Sequence, residues 1–190
     1  KNLDQLNLFK KISSDFPNTK LSLANSTAVF NLKNFNFSFV RSGGAIFGIN
    51  PVKKKNPLKN VIKLFAKVIQ LRDLNDEPMK SIGYNSSYSL NRGIKIAVLG
   101  VGYADGYPRN LSNVGYCFFK KTMLPIVGNI SMDYMTVDLS DLTKEIKVGD
   151  WVELIGDNIT IQKVALQSDT IEYEILNNLG NRLEKNYFNL

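Results

Sequence analysis

Histidine is missing from all 190 residues. That absence excludes Ser-His and Cys-His nucleophile pairs, histidine metal sites and imidazole acid–base chemistry. Cysteine is nearly missing as well. Cys117 stands alone, which excludes an internal disulfide framework and points to a reducing, cytoplasmic setting. No apolar run approaches the ~20 residues of a membrane span, and the opening residues do not read as a basic-then-apolar leader. A membrane is therefore not an expected partner. The chain opens at Lys1, already inside a helical pattern, which suggests a piece of something longer.

Acidic residues are the scarcer charge, 17 against 24 lysines and arginines, for a formal net charge of +7. Nucleic-acid binders gather such charge on one face and interleave stacking aromatics. Here the lysines are spread along the chain, and the densest run, Lys53-Lys54-Lys55, lies between Pro51 and Pro57 in a linker-like stretch. No nucleic acid is expected. The sign suits a solvated surface, or attraction for a small anion such as a phosphate or carboxylate.

What is present divides into two patterns. Leu3, Leu6, Phe9, Ile12 and Phe16 fall at helical spacing, and Pro17-Asn18 ends that run. Short strands are predicted over 21–24 and 37–40, with a short helix from Ser26 through Val29 between them. Helix and strand alternate in this way in βα units of a parallel sheet. Fifty such residues cannot close a barrel, which takes ~250. Beyond Pro57 the period becomes two: Ile62, Leu64, Ala66 and Val68 alternate with Lys63, Phe65 and Lys67. Further strands are predicted over 94–101, 116–119, 125–130, 135–139 and 151–155. Turn material such as Asn91-Arg92-Gly93 and Val148-Gly149-Asp150 separates them. Thr160 and Thr170 each sit where they would cap a short closing helix. The expected fold is mainly β: an antiparallel barrel or sandwich, preceded by βα units that read as the tail end of something truncated.

Four motifs carry chemical potential. Arg41-Ser42-Gly43-Gly44 follows a predicted strand, and paired glycines let successive N–H groups converge on an anion. Ser26 would add a hydroxyl, although for this motif taken alone an ordinary flexible glycine turn is the favoured reading. Gly100-Val101-Gly102-Tyr103-Ala104-Asp105-Gly106 has G-x-G-x-x-x-G spacing. The dinucleotide fingerprint requires G-x-G-x-x-G opening a long helix, which Pro108 discourages. A tight turn presenting Tyr103 and Arg109 fits better. Tyr84 and Tyr88 lie in a polar stretch. A phenol ordinarily ionises near pH ~10 and acts as a base only beside a cation that lowers its pKa. Otherwise each is a packed aromatic with a hydrogen-bonded hydroxyl. Met132, in Ser131-Met132-Asp133, reads equally as packing.

The order of these segments is more specific than any one of them. Leu23-Ala24-Asn25-Ser26, Val40-Arg41-Ser42-Gly43, Gly83-Tyr84, G-Y-A-D-G-Y-P-R from Gly102, Pro125-Ile126-Val127-Gly128, Ser131-Met132-Asp133 and Tyr173-Glu174-Ile175-Leu176 follow one another. Together they resemble the C-terminal half of bacterial alanine racemase along the whole chain. The resemblance implies that residues 1–55 are the last βα units of a truncated (β/α)8 barrel holding pyridoxal 5′-phosphate and that 56–190 form the family's antiparallel, barrel-like β domain. It implies a homodimer acting on alanine, with the site completed in trans. Carried over by position, Ser26, Gly43 and Gly44 contact the cofactor phosphate. Arg41 faces the pyridine nitrogen, and because a guanidinium keeps its proton, it leaves that nitrogen unprotonated. Tyr84 is the catalytic tyrosine that takes the α-proton of the L-enantiomer, Tyr103 lines the entry gate, and the Met132 N–H meets the substrate carboxylate.

The chain departs from the family at Ser22 (often histidine), Asn129 (an arginine of the substrate corridor) and Asn181 (a tyrosine in some members). The family's cofactor-bonding lysine lies in an N-terminal motif with no match here, so the chain alone is expected to be inactive. Two other readings stand beside this one: a non-catalytic β-barrel binding or oligomerisation module, and a racemase for another amino acid.

Overall fold

The computed structural model describes residues 1–52, 56–75, 81–89 and 94–188. It divides into two units, Lys1–Val61 and Ile62–Leu190. The lysine run at 53–55 and the predicted turn at 91–93 lie outside the described residues.

In the first unit, α1 (Asn2–Ser13) forms where the apolar spacing predicts it. Asp4 stands in its first turn and Lys10 and Lys11 in its last, the signs that suit the helix dipole. Its apolar face is only partly used. Leu6 is buried, and Phe9 meets Phe37 edge-on at 5.0 Å between ring centres. Leu3, Ile12 and Phe16 stay exposed. Helix α2 (Ser26–Asn31) begins at Asn25, whose side-chain oxygen accepts the Ala28 N–H at 3.0 Å and so satisfies one orphan donor of the first turn. A single turn, α3 (Gly43–Ile46), follows.

The strands predicted over 21–24 and 37–40 do not develop. Their segments run together, with the Ser38 N–H donating to the Leu21 carbonyl at 3.0 Å, but the only ladder is one parallel bridge, Asn25↔Arg41. Parallel strands persist as central members of a covered sheet, and among the described residues of this unit these two segments have only each other. The core here is small: Leu6, Ala24, Ala28 and Phe35.

The second unit is built on β1 (Leu64–Asp73), whose side chains alternate buried and exposed from Leu64 to Ile69. A two-stranded hairpin, β2 (Ser81–Ile82) with β3 (Tyr88–Ser89), precedes β4 (Lys95–Leu99). Then come β5 (Tyr116–Phe119), β6 (Thr122–Pro125), β7 (Met135–Asp138) and β8 (Trp151–Ile155). Six of these strands form one antiparallel sheet in the order β6-β5-β8-β1-β4-β7. Its two ends meet. Ile126 bridges Val137, and the Val127 N–H donates to the Thr136 carbonyl at 2.9 Å. The sheet is thus a nearly closed barrel.

The strand predicted over 125–130 is displaced: β6 spans Thr122–Pro125, and beyond it only the isolated bridge at Ile126 remains. Lys120 and Lys121 both take left-handed backbone angles and make a two-residue hairpin turn, so pairing with β5 starts directly after them. Strand β1 pairs with β8 from Leu64 to Lys67 and with β4 from Val68 to Asp73, shifting register against β4 between Val68 and Gln70. Such a bulge bends a strand around a barrel corner.

Val68, Ala97, Leu99, Cys117, Leu124, Val137 and Leu154 point into the barrel and are fully buried. Two helices close the chain. Thr160 caps α4 (Ile161–Gln167), accepting the Lys163 N–H at 3.3 Å, as its position predicts. The second, α5 (Glu172–Asn178), starts from Ile171 with no side-chain cap, and Thr170 instead donates its hydroxyl to Glu174. No described helix is long and apolar enough to cross a membrane.

Candidate functional site

In the first unit, the parallel bridge lays the turn after Ala24 beside the turn after Val40. Ser26 is buried at the start of α2, and its Oγ accepts the Ala45 N–H at 3.2 Å, which seats it against α3. The Gly43 N–H donates to the Arg41 carbonyl at 3.1 Å, while a side chain at Gly43 would meet nothing within 4 Å. One side of the glycine pair is therefore open space. The Arg41 guanidinium is tethered by local acceptors: Nη1 donates to the Ser22 carbonyl at 3.0 Å and to Ser22 Oγ at 2.8 Å, and Nη2 donates to the Leu23 carbonyl at 3.3 Å. Ser26, Arg41, Gly43 and Gly44 accordingly form one neighbourhood.

In the second unit, Tyr84 opens a short turn, Tyr84–Ser86, and its side chain is 71% exposed. Gly83 precedes it at φ +82°, where a Cβ would lie 2.7 Å from the Asn129 nitrogen. Only glycine combines that backbone angle with so close an approach. Asn129 answers in both directions: its Nδ2 donates to the Tyr84 carbonyl at 3.1 Å, and its N–H donates to Ser87 Oγ at 2.9 Å. Asn113 adds two more ties, donating to the Ser87 carbonyl at 3.1 Å and accepting the Gly128 N–H at 2.6 Å. The phenol is presented from a held turn.

Tyr103 and Met132 come together through their backbones. The Tyr103–Asp105 turn lies along the 131–134 turn, with the Tyr103 N–H donating to the Ser131 carbonyl and the Ala104 N–H to the Met132 carbonyl, each at 3.0 Å. Any side chain at Gly102 would run into the Met132 carbonyl, which accounts for that glycine. Tyr103 is 42% and Met132 53% exposed, and the Met132 N–H has no partner among the described residues. The next tyrosine behaves differently. Tyr107 is buried, its hydroxyl has no partner among the described residues, and burial pushes its phenol well above the ordinary range. Tyr88 is half-buried and packs beside Leu74, Ile82 and Ile96.

Sequence reasoning did not single out Asn113, Ser87 or Arg182. Arg182 pairs with Asp105 at 3.4 Å and with Asp133 at 2.5 Å. Nothing local marks these residues, since each acts on a segment distant along the chain.

Residues 61–187 match the family model described as "Alanine racemase, C-terminal domain". A protein named alanine racemase from Rickettsia bellii is 45% identical over 189 residues, covering 98% of this chain and 46% of its own length. One from Rickettsia canadensis is 42% identical, with 98% and 51% covered. The chain thus spans about half the length of the curated relatives it matches. Among solved structures, the alanine racemase from Bartonella henselae with covalently bound pyridoxal phosphate superposes at TM-score 0.91 with 42% identity, over 98% of this chain and 52% of that one. The biosynthetic enzyme from Pseudomonas aeruginosa superposes at 0.85 with 32% identity, over 97% and 52%. The glycine-locked turns, the nearly closed antiparallel barrel and these matches lead to one assignment: the chain belongs to the alanine racemase family.

Proposed function

We propose that this chain is the C-terminal half of a pyridoxal 5′-phosphate-dependent alanine racemase that interconverts L- and D-alanine, with Tyr84 acting across a homodimer interface. Under this reading residues 1–55 end the cofactor barrel, 56–190 are the β domain, and the intact cytoplasmic enzyme supplies D-alanine for peptidoglycan. The observation that carries the reading is the exposed Tyr84 phenol on a turn braced by Gly83, Ser87 and Asn129, in a chain matched along 98% of its length by racemases.

The residues present fit the cofactor. Ser26 is a buried hydroxyl beside a glycine pair with an open side, a donor set suited to a phosphate. When bound, pyridoxal phosphate supplies the electron sink that makes an amino acid's α-proton removable. Ser26 and the Gly43-Gly44 backbone would hold the phosphate. Arg41, already oriented by Ser22 and Leu23, would face the ring nitrogen and withhold its proton from it. Racemisation requires a proton taken on one face and returned on the other, so two opposed acid–base groups are needed. Tyr84 is one, exchanging the proton at its phenol oxygen. The other is the family lysine, which no residue of this chain matches. The free Met132 N–H would receive the substrate carboxylate, and Tyr103 would border its path.

Two measurements test this reading. In the intact racemase carrying these residues, Tyr84→Phe should slow proton abstraction from L-alanine by about 10²–10⁴-fold, with a smaller effect on D-alanine, as read by deuterium incorporation from solvent. Equal losses in both directions would remove Tyr84 from the assigned role. The 190-residue chain alone, mixed with pyridoxal phosphate, should show no turnover and, after borohydride, no one lysine modified in preference to the others. An adduct with turnover would overturn the division of labour.

A further inference from the structure

The two turns that bear Tyr103 and Met132 come from distant parts of the sequence, and two backbone hydrogen bonds join them along one edge. Each turn also carries a carboxylate. Asp105 has a side chain only 12% exposed; its Oδ2 accepts the Gly102 N–H at 2.8 Å and its Oδ1 faces Arg182 Nε at 3.4 Å. Asp133 stands near the tip of the other turn and receives Arg182 Nη2 at 2.5 Å. Within that turn Ser131 and Tyr134 close on each other, through the Tyr134 N–H to Ser131 Oγ at 3.0 Å and the Ser131 N–H to the Tyr134 carbonyl at 2.9 Å. A single guanidinium therefore spans two like charges on adjacent turns. Without it the pair would repel across the seam.

We propose that Arg182 is a positioning residue: bridging Asp105 and Asp133, it fixes the Tyr103 turn against the Met132 turn and so aims the free Met132 N–H. The substrate-facing part of this role rests on the function proposed above; the clamp itself does not. The planar fork of arginine offers separate N–H vectors to the two carboxylates, whereas a lysine ammonium at the end of a flexible stem is one point charge. Arg182 comes from the segment after α5, where the backbone returns to the same turn: the Gly180 N–H donates to the Asp105 carbonyl at 3.3 Å.

Amide hydrogen exchange on the full 190-residue chain tests the clamp. In Arg182→Gln, exchange should quicken about tenfold across 102–104 and 131–134, while amides of β4 and β7 keep their wild-type rates. Arg182→Lys should recover part of that protection. Asp133→Asn, which leaves the buried Asp105 in place, should loosen 131–134 more than 102–104. Unchanged rates in both turns, or equal quickening throughout β4 and β7, would overturn the proposal. In the intact racemase, Arg182→Gln should raise KM for alanine several-fold more than it lowers kcat. If the wild type racemises alanine and this variant keeps its KM, the positioning role fails. If the wild type does not racemise at all, the functional reading fails while the exchange result still judges the clamp.

Discussion

The two units of this chain place their apolar side chains very differently. The β unit surrounds Val68, Leu99, Cys117, Leu124 and Leu154 on all sides and leaves them fully buried. The N-terminal unit buries Leu6, Ala24, Ala28 and Phe35 but leaves Leu3, Leu8, Ile12, Phe16, Phe30 and Phe47 in solvent. The difference follows from the kind of sheet. An antiparallel strand finds its partner across a short turn, as β5 does with β6, so a barrel can complete itself within one stretch of sequence. Parallel segments such as 21–24 and 37–40 depend on strands supplied from further away. The β unit builds its sheet within one stretch of sequence, whereas the described residues of the N-terminal unit make only a single parallel bridge.

Alkaline titration should separate the units most strongly. All eight tyrosines and the one cysteine lie beyond residue 61. Burial pushes the Cys117 thiol and the Tyr107 phenol far above their ordinary values near 9 and 10. Above those values the unfolded chain releases both protons and the folded unit does not, so stability is intact at pH 8 and falls as pH rises. By pH 11 the loss should reach about 4 kcal/mol in urea melts of the β unit. The secondary structure of the N-terminal unit should show no corresponding dependence. A flat profile between pH 8 and 11 would mean that the two side chains are not sealed.

Core truncation should come next. Leu154→Ala should cost about 3 kcal/mol, because the closed barrel collapses poorly around the cavity. Leu6→Ala, in a cluster with an open side, should leave the main unfolding transition where it is. If both substitutions move that transition equally, the chain unfolds as one cooperative body and the contrast between the units disappears.

The smallest difference concerns the caps. Asn25→Ala should weaken α2 by about 1 kcal/mol, seen as faster proteolysis near residues 26–31. Thr160→Ala, whose bond to Lys163 is longer at 3.3 Å, should cost less and be visible only in chemical melts.

Sequence reading succeeded where structure is set locally. The period of two along β1, the run at 116–119 and the Thr160 cap all reappear, because one-sided burial and a neighbouring orphan N–H act within a few residues. It failed where the deciding partner lies far along the chain. Nothing in 21–24 reveals that its parallel neighbour stands alone, and Thr170 looked like a cap until Glu174 took its hydroxyl. The site divides similarly. Tyr84, Tyr103 and Met132 stand out as site candidates only through the ordered family pattern; without it Tyr84 and Met132 read as packed side chains and Tyr103 as part of a tight turn. The braces from Asn113 and Arg182 span long sequence separations and carry no local mark.

Bringing Ile126 against Val137 pairs part of the backbone at the two ends of the sheet. Open sheet edges invite pairing with other chains, and this contact shortens the edge on offer. Docking on this unit then falls largely to side chains on its turns. Those contacts can be retuned one substitution at a time without disturbing the ladder beneath them.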